Sequence, residues 1–515
     1  MIVRGTVSRT TRMLFGAGLA LLGISLALIS TLFHMQALSR GPSFDIPASA
    51  GALDPANINA NNSPALAQDP RNPSVLALVN RIDTPVYSCA LSVSHDGGVS
   101  WTSASVPLPR REHKCYAPDA AFGADGTLYV SYVTLVGRGN TPDAAWIVRS
   151  TDDGRALSRP TRVLGPLVFE VRIVTDPARP HRLYMTWLQA ATTGLYSLPV
   201  PGNPIESARS DDGGVHWSAP VRVSDPARPR VLAPVPAADP GGRLYVLYLD
   251  VGTDRLDYEG ADGGLGGPPY DGHFALVLAR STDAGQTWEE SIVTSSIVPT
   301  RRFLVFLAPY PALAVDPRTG RIYIAVEDAP LGDPDVYLWS LAPGAGTWSA
   351  PTRVNDTPPH DHTWQYLPAL AVAPNGRLDV VYYDRRDDPS NRLTGVSLQS
   401  SFDGGRKFTR RVPLTDRVFS SQIGFGQERN MPELGSRLAL ISDDSGAVAA
   451  WADTRYGTLA TDKQVIESAS VSFTARSGMP APVRDLLRYG GTVLLLIGLA
   501  MAGTAGRRRR EFASR

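Results

Sequence analysis

The chain has 515 residues, which is long enough for several ordinary domains or for one large repeat architecture. Its 47 Gly and 43 Pro residues, with evenly scattered aromatic and β-branched residues and no long charge-patterned helical run, favour an all-β fold. Basic residues (50) and acidic residues (49) nearly cancel and are interspersed, so the sequence excludes a nucleic-acid-binding stripe.

An apolar segment occupies residues 13–33. Arg4, Arg9 and Arg12 precede it, and the segment is uncharged and about long enough to cross a bilayer. These features predict a transmembrane anchor with a cytoplasmic tail at residues 1–12. A cleaved signal peptide is the alternative, and in both cases the chain that follows is exported.

Cys89 and Cys115 are the only two cysteines. Both lie in the part of the chain expected to be exported, where an oxidising compartment permits a disulfide. The sequence therefore predicts a Cys89–Cys115 disulfide. Two cysteines without paired histidines at ligand spacing do not make a zinc site, and we expect neither a metal nor a cofactor.

One short motif, Ser-x-Asp-x-Gly-x-x-Trp, recurs along the middle of the chain. Ser and Asp side chains can hydrogen-bond the backbone amides of a turn, Gly supplies a positive φ, and the aromatic residue packs back on the sheet. The motif therefore indicates turn and core chemistry. A copy at residues 150–157 has Leu157 in the aromatic position, and a decayed copy spans residues 340–348. The complete copies are Ser94, Asp96, Gly98 and Trp101; Ser210, Asp212, Gly214 and Trp217; Ser281, Asp283, Gly285 and Trp288; and Ser401, Asp403, Gly405 and Phe408.

A second element alternates with this motif and reads as two strands joined by a turn, as at residues 311–326. A third apolar strand leads into each motif and a fourth follows it. Four short strands in a unit of roughly 60 residues are typical of a β-propeller blade. Counting the first strands gives seven blades across residues 62–474, and a six-bladed ring with one decayed unit outside it is the alternative.

The last unit lacks a fourth strand before the linker at residues 475–488. An unpaired strand edge invites pairing with other chains. We therefore predict that a segment within residues 43–61, otherwise a linker, adds the missing outer strand and closes the ring. This closure would also bring the two apolar ends of the chain close together.

A second apolar stretch occupies residues 489–506, and four arginines, Arg507 to Arg510, follow it. A basic cluster after a spanning-length segment marks the cytoplasmic side of a membrane. We predict a transmembrane helix at residues 489–506 and a basic cytoplasmic tail at residues 507–515. The membrane is then a partner of the chain, with the propeller on the extracytoplasmic side and both termini in the cytoplasm. A buried core helix is the alternative.

The Ser-x-Asp-x-Gly-x-x-Trp turns resemble the Asp boxes of sialidase-like (BNR-repeat) β-propellers. The late blades, with Val380-Val-Tyr-Tyr-Asp-Arg-Arg386 and Ala450-Trp-Ala-Asp-Thr-Arg-Tyr-Gly457, are also similar to bacterial exported exo-α-sialidase-domain proteins. The resemblance covers about residues 62–474 and implies an all-β, sialidase-like propeller. Such propellers include sialidases, other glycoside hydrolases, sorting receptors and assembly factors, so the resemblance does not imply one activity.

Chemistry is expected on the face opposite the Ser/Asp turns, where the loops between second and third strands open. A sialidase needs guanidinium groups that converge on the substrate carboxylate, an acid, and a Tyr nucleophile primed by a carboxylate. The predicted substrate ligands are Arg81, Arg385, Arg455 and Arg301, the candidate acid is Asp83, and the candidate nucleophile pair is Tyr366 with Glu428.

Part of this set also has a purely structural interpretation. The repeated pairs Asp384/Arg385 and Asp453/Arg455 could be ion pairs that hold each blade together. The run at residues 360–362, His-Asp-His, is read as a solvent loop and not as a metal site, because alternating residues on a loop usually face apart.

Two functions remain open from the sequence. The first is a non-catalytic propeller that binds glycan or a partner protein at the membrane through its loop face. The second is an exo-α-sialidase or related glycoside hydrolase acting on terminal acidic sugars. The start of the first blade favours binding, because Asn62-Ser63-Pro64 stands where the family's enzymes carry Arg-Ile-Pro.

Overall fold

The structure, a computed structural model, describes residues 9–32, 37–39, 45–191, 203–254, 270–300, 310–424, 434–474 and 481–510. The chain divides into two compact units, one at Arg40–Val471 and one that combines Met1–Ser39 with Ser472–Arg515. Three elements precede the first complete sheet: the helix α1 (Arg9–Leu32) and the short strands β1 (Ala37–Ser39) and β2 (Ile46–Pro47).

The large unit contains six antiparallel sheets whose strands follow one another in chain order. Their second strands are nearly continuous runs of Val, Ile, Leu and Tyr, because neighbouring sheets cover both faces. Blades one to three contain β3 (Asn61–Asp69), β4 (Asn72–Ile82), β5 (Ser88–Ser94) and β6 (Thr102–Ala104); β7 (Cys115–Phe122), β8 (Leu128–Val136), β9 (Thr141–Ser150) and β10 (Thr161–Leu164); and β11 (Val168–Thr175), β12 (Leu183–Gln189), β13 (Ile205–Ser210) and β14 (Val221–Arg222). Blades four to six contain β15 (Val231–Ala238), β16 (Leu244–Asp250), β17 (Phe274–Ser281) and β18 (Glu289–Ile297); β19 (Ala312–Val315), β20 (Ile322–Asp328), β21 (Asp335–Leu341) and β22 (Thr352–Arg353); and β23 (Gln365–Val372), β24 (Leu378–Asp384), β25 (Leu393–Ser401) and β26 (Val412–Pro413), with β27 (Phe419–Ser420) pairing β25.

The seventh blade joins the two ends of the large unit. Three of its strands are β28 (Ala439–Ser442), β29 (Gly446–Asp453) and β30 (Val465–Thr474). The strand β2 supplies the fourth, because Ile46 pairs with Ser468 and Pro47 pairs with Glu467. The prediction that a segment within residues 43–61 closes the ring is confirmed. The chain forms a seven-bladed β-propeller, and the six-bladed alternative is wrong.

The Ser/Asp turns join third strands to fourth strands, as predicted. In the first copy, the amides of Val99 and Ser100 donate to Oδ1 of Asp96 at 3.0 and 2.9 Å, and the Gly98 amide donates to Oγ of Ser94 at 2.8 Å. Gly98 has a φ of 89°, which glycine adopts without strain. Two hydrogen bonds, from the Ser hydroxyl to the Asp carboxylate and from the Gly amide to the Ser hydroxyl, are present in the copies that begin at residues 150, 210, 281 and 401.

Packing between blades forms the hydrophobic core. A Cβ atom added to Gly98 would lie 3.2 Å from Val448, so the turn of blade one packs directly on blade seven. One buried cluster runs from Ala65 in blade one to Val148 in blade two. Trp187 and Trp451, on second strands, are both completely buried. Each blade therefore buries its apolar faces only when its neighbours are in place.

The first strands carry a β-bulge at one recurring place. In five blades the ladder register shifts there, and the first bulged residue has a positive φ although it is not glycine, for example 54° at Glu170. We call this residue the bulge position. A bulge re-aims the side chains beside it, and a non-glycine residue with positive φ persists only where its surroundings fix it. The bulge positions are Ser63, Ala117, Glu170, Ala233 and Leu367, and the ladder register places Tyr310 and Arg437 at the same point in the other two blades.

The small unit consists of α1, β1, the end of β30 and α2 (Ala481–Arg510). The two helix backbones approach closely at Gly23, where a Cβ atom would lie 2.4 Å from the carbonyl oxygen of Gly491. The strand β1 pairs with the end of β30, so that Leu38 lies opposite Phe473. Within the parts of the chain that the structure describes, no helix is long and apolar enough to cross a membrane.

Candidate functional site

The innermost strands of all seven blades surround a cavity of about 180 Å³, which we call the axial cavity. Its wall is mostly Pro, Ala, Leu and Val. The polar residues that line its described part are Asp119, Arg172, Tyr310 and Arg437. The chemistry at the centre of the ring is therefore concentrated in four side chains.

The bulge explains why these residues face the axis. Tyr310 and Arg437 occupy the bulge position in blades five and seven, and Glu170 occupies it in blade three. Asp119 and Arg172 stand two residues after the bulge position, where the regular ladder resumes. Blades that otherwise repeat one another thus differ at the bulge position and at the position two residues after it.

Two guanidinium groups share one carboxylate in the axial cavity. Nε of Arg172 donates to Oδ2 of Asp119 at 2.9 Å, and Nη2 of Arg437 lies 3.9 Å from Oδ1 of the same residue. Burial, together with the nearby charge of Arg172, lowers the pKa of Arg437 to about 10, while the charge of Asp119 opposes the change. The described part of the cavity wall carries two cations and one anion, so it is positive overall.

Arg437 is held against the wall by backbone carbonyl groups. It donates from Nε to the oxygen of Pro64 at 3.0 Å and from Nη2 to the oxygen of Pro118 at 2.6 Å. A guanidinium from the last blade therefore lies at the start of the first blade, beside Asn62-Ser63-Pro64.

Tyr310 and Glu170 lie close enough to each other, and to these arginines, for their charges to shift one another's pKa. Burial raises the pKa of Glu170 to about 7, even though the amide of Ala233 donates to its Oε2 at 2.8 Å. Burial also raises the pKa of Tyr310 well above its usual value, with a further contribution from the Glu170 charge. The pair joins a hard-to-ionise phenol to a carboxyl group that changes protonation state near neutral pH.

Of the residues predicted from the sequence, Arg81 and Asp83 lie at the edge of this site. Nε of Arg81 is 2.7 Å from Oδ1 of Asp83, and Nη1 donates to the Tyr116 hydroxyl at 2.9 Å. Burial raises the pKa of Asp83, while the charge of Arg81 and a hydrogen bond from Asn62 oppose the change. Arg81 is close enough to Arg437 for its charge to lower the pKa of that group. The assignments of Arg81 as a substrate ligand and Asp83 as an acid stay predictions.

Arg385 and Tyr366 contact each other inside blade six. The Arg385 guanidinium lies 5.5 Å from the Tyr366 ring centre and 4.9 Å from that of Trp364, and it donates to Ser421 at 2.6 Å. Neither residue lines the described part of the axial cavity. These contacts match the structural interpretation of Arg385. Its assignment as a substrate ligand, and that of Tyr366 as a nucleophile, stay predictions.

Arg455 lies at the closure of the ring. Its Nε is 2.9 Å from Asp453, and its two Nη atoms bond Asp45, in the closing segment, and Asp416. Glu467 lies 3.9 Å from Nη2, and neither of its carboxylate oxygens has a hydrogen-bond partner among the described residues. Arg455 therefore ties the N-terminal strand to blade seven. Its role as a substrate ligand stays a prediction that this geometry does not favour.

The remaining candidates are placed as follows. Arg301 and Glu428 lie outside the described residues. The cysteines form the predicted disulfide between β5 and β7. His362 contacts Asp333 at 3.1 Å on an exposed loop, and the described residues contain no group of three or more side chains arranged to hold a metal ion.

Sequence reasoning missed Glu170, Asp119, Arg172, Tyr310 and Arg437 as site residues. The amino-acid sequence does contain a pattern that marks these positions. In five blades a proline directly follows the bulge position, and Val171 and Leu438 take its place in the other two. Aligning the blades on this residue brings four polar residues, Ser63, Glu170, Tyr310 and Arg437, into one register.

Seven blades closed by an N-terminal strand, with Ser/Asp turns at one end and a cationic cluster on the axis, define a seven-bladed β-propeller. No family model matches the chain, and no curated protein matches it. Similar solved structures include a protein of unknown function from Dyadobacter fermentans (13% identity, TM-score 0.46, covering 85% of this chain and 100% of that one). Others are the Hadza microbial sialidase Hz136 (14%, 0.40, 77% and 73%) and YCF48 bound to a D1 peptide (12%, 0.41, 87% and 100%).

Proposed function

We propose that the axial cavity binds the terminal acidic sugar of a glycan. The observation that carries this proposal is that Arg172 and Arg437 share the single carboxylate of Asp119. A ligand carboxylate would neutralise the second guanidinium and can accept two parallel hydrogen bonds from it. The Pro, Ala and Leu side chains of the wall would contact the apolar face of the sugar ring.

A binding measurement on the full-length protein tests this proposal. N-acetylneuraminic acid and neutral galactose are titrated against the native protein and against Arg437→Lys, Arg172→Gln and Arg162→Ala. Arg162 is an exposed arginine on β10 and serves as the control. We expect only the acidic sugar to bind. Arg437→Lys keeps the charge but loses the planar fork, so it should weaken binding about tenfold, whereas Arg162→Ala should not change it.

The outcome that overturns the proposal is equal binding of the acidic and neutral sugars, or acidic-sugar binding that is the same in all three variants. Thermal unfolding of each variant is measured in parallel, because Arg437 also holds the backbone of Pro64 and Pro118. A variant whose unfolding temperature matches the native value then reports on the ligand and not on folding.

Hydrolysis of the bound sugar is a second candidate function, favoured by the proximity of the Glu170 carboxyl group to Tyr310, whose pKa it helps to raise. Glu170 would accept the phenol proton as Tyr310 attacks the anomeric carbon, which breaks the glycosidic bond and forms a glycosyl-tyrosine. The leaving oxygen takes its proton from an acid, for which Asp83 is the candidate because burial raises its pKa. Water then releases the sugar and restores Tyr310.

A fluorogenic sialoside separates hydrolysis from binding. We expect turnover by the native protein, none by Tyr310→Phe, and a large loss in Glu170→Gln, with acidic-sugar binding retained in both variants. If the native protein binds the acidic sugar but turns over no member of a panel of acidic glycosides, the hydrolysis proposal fails while the binding proposal stands.

We also propose that the propeller is exported and anchored in a membrane with both termini in the cytoplasm. The support comes from the sequence, namely the apolar residues 13–33 and 489–506 and the arginines around them. The Cys89–Cys115 disulfide is compatible with an oxidising compartment. Protease protection in intact cells tests the topology. We expect the propeller to become accessible only from outside the cytoplasmic membrane, and a propeller degraded from the cytoplasmic side would contradict it.

A further inference from the structure

The disulfide belongs to a closed circuit of contacts at the edge of the axial site. Arg81 on β4 lies directly opposite Cys89 on β5. Cys89 is bonded to Cys115, the first residue of β7, and the next residue along that strand is Tyr116. The Tyr116 hydroxyl accepts a hydrogen bond from Arg81 at 2.9 Å, which returns the circuit to its start.

The circuit crosses the boundary between blades one and two. The ring of Tyr116 lies 5.0 Å from the Arg81 guanidinium, and a second ring, that of Tyr87, packs against it edge-on at 6.0 Å. Asp83 fixes the other side of Arg81 at 2.7 Å. The disulfide is the one covalent link in this arrangement, and it joins the strand opposite Arg81 to the strand that carries Tyr116.

Two members of the circuit, Arg81 and Tyr116, affect the electrostatics of the axial cavity. The charge of Arg81 lowers the pKa of Arg437, and Tyr116 contributes to raising that of Tyr310. A displacement of β7 relative to β5 would therefore change the surroundings of two cavity residues. The strand that carries Tyr116 also carries Pro118, whose carbonyl accepts a hydrogen bond from Arg437 at 2.6 Å, and Asp119, which accepts one from Arg172 at 2.9 Å.

We propose that the Cys89–Cys115 disulfide is a positioning element of the axial site, which holds Tyr116 on Arg81 so that acidic ligands bind strongly only when the disulfide is formed. This inference rests on the proposed function for its effect on binding. Reduction by a dithiol would break the sulfur–sulfur bond and give two thiols, while the dithiol becomes a disulfide and supplies the two electrons and two protons. The strand β7 would then be held beside β5 by non-covalent contacts.

A double-mutant cycle measures the positioning effect on the full-length protein. Tyr116→Phe removes the hydroxyl that accepts the Arg81 hydrogen bond, and C89S/C115S removes the disulfide. We expect Tyr116→Phe to weaken N-acetylneuraminic acid binding about fivefold with the disulfide present and less than twofold without it. Equal losses in both backgrounds would overturn the proposal.

A matched control separates positioning from loss of stability. Met185→Ala removes a buried side chain on β12, away from the circuit. The temperature of the binding assay is chosen so that Met185→Ala and C89S/C115S are both fully folded. We expect Met185→Ala to leave acidic-sugar binding unchanged, and a loss equal to that of C89S/C115S would show that the disulfide acts only on stability.

A second measurement needs no ligand and so distinguishes failure of this inference from failure of the proposed function. Arginine labelling by phenylglyoxal is mapped by mass spectrometry in the native protein and in C89S/C115S. We expect Arg81 to be labelled about tenfold faster without the disulfide, while Arg455, held by its own carboxylates, is unchanged. An Arg81 equally protected in both proteins overturns the inference whether or not the native protein binds the acidic sugar.

Discussion

Replacing Glu467 by glutamine should stabilise the closed ring at alkaline pH and have little effect at acidic pH. Glu467 lies on β30 opposite Pro47 of the closing strand, and it is 1% exposed. Burial raises its pKa from 4.5 to about 8, the negative charge of Asp453 adds to the change, and Arg455 opposes it. The carboxyl group is therefore neutral in the closed ring over a range of pH in which it would be ionised in the unfolded chain.

The sign and size of the effect follow from this difference. Below pH 4.5 both states carry the proton, so the contribution of Glu467 is fully present, and it is lost as the pH rises towards about 8. Each tenfold change in proton affinity corresponds to about 1.4 kcal/mol, so the loss reaches at most about 5 kcal/mol above pH 8. Glutamine has the shape of the neutral acid and does not ionise, so Glu467→Gln should avoid the loss.

The assay is thermal unfolding of the full-length protein at pH 4.5 and pH 9, with hydrogen exchange of the segment around Ala48. The amide of Ala48 donates to the Ile466 carbonyl at 2.7 Å, so its exchange reports on the closing strand directly. Glu289→Gln is the control, because the Glu289 side chain is 82% exposed. If the difference between Glu467→Gln and the native protein is the same at both pH values, Glu467 does not carry a raised pKa and the reasoning is refuted.

Two further substitutions and one pH profile test the turns, the core and the proposed chemistry. Asp283→Ala removes the acceptor of two backbone amides and should lower the free energy of unfolding by about 1–2 kcal/mol, whereas Glu289→Ala should not, as measured by denaturant unfolding. Trp187→Ala should cost about 3–5 kcal/mol in the same measurement, because its side chain is completely buried, and a loss no larger than that of the half-buried Trp348→Ala would contradict this packing. If Glu170 is the base, sialoside turnover should rise with pH through about 7, where its carboxyl ionises, and a flat profile from pH 5 to 8 would exclude that role.

The architecture could be predicted because its determinants are local. The Ser/Asp turn needs three residue types within five positions, and its hydrogen bonds form inside the turn itself. Closure by an N-terminal segment was also predictable, because a three-stranded last blade leaves an edge that must be covered. The exact partner was not, since β2 is only two residues long and carries no strand pattern.

The site could not be predicted in the same way, because bulges place its residues. Alanine and glutamate rarely adopt a positive φ, so the residue types at Ala117 and Glu170 do not predict one. Contacts between blades fix the backbone there. The sequence favours Arg385 and Arg455 as ligands because they recur at similar places in the repeats. Recurrence in a repeat protein more often reflects packing than chemistry, and the contacts of both residues agree with that. The residues of the axial cavity that carry charge instead stand at positions where the residue type differs from blade to blade.

The pairing of the closing strand with blade seven also sets the order in which the propeller can fold. The amide of Ile466 donates to the hydroxyl of Ser49, which lies 417 residues earlier in the chain. Bringing together ends so far apart costs about 5 kcal/mol of chain entropy if nothing between them is folded, and far less once six blades have stacked. The strand β2, which is synthesised early, therefore cannot pair until β30 has been synthesised. A chain truncated within its final sheet could not close the ring and would leave two exposed sheet edges. Completion of β30 therefore determines whether the propeller closes.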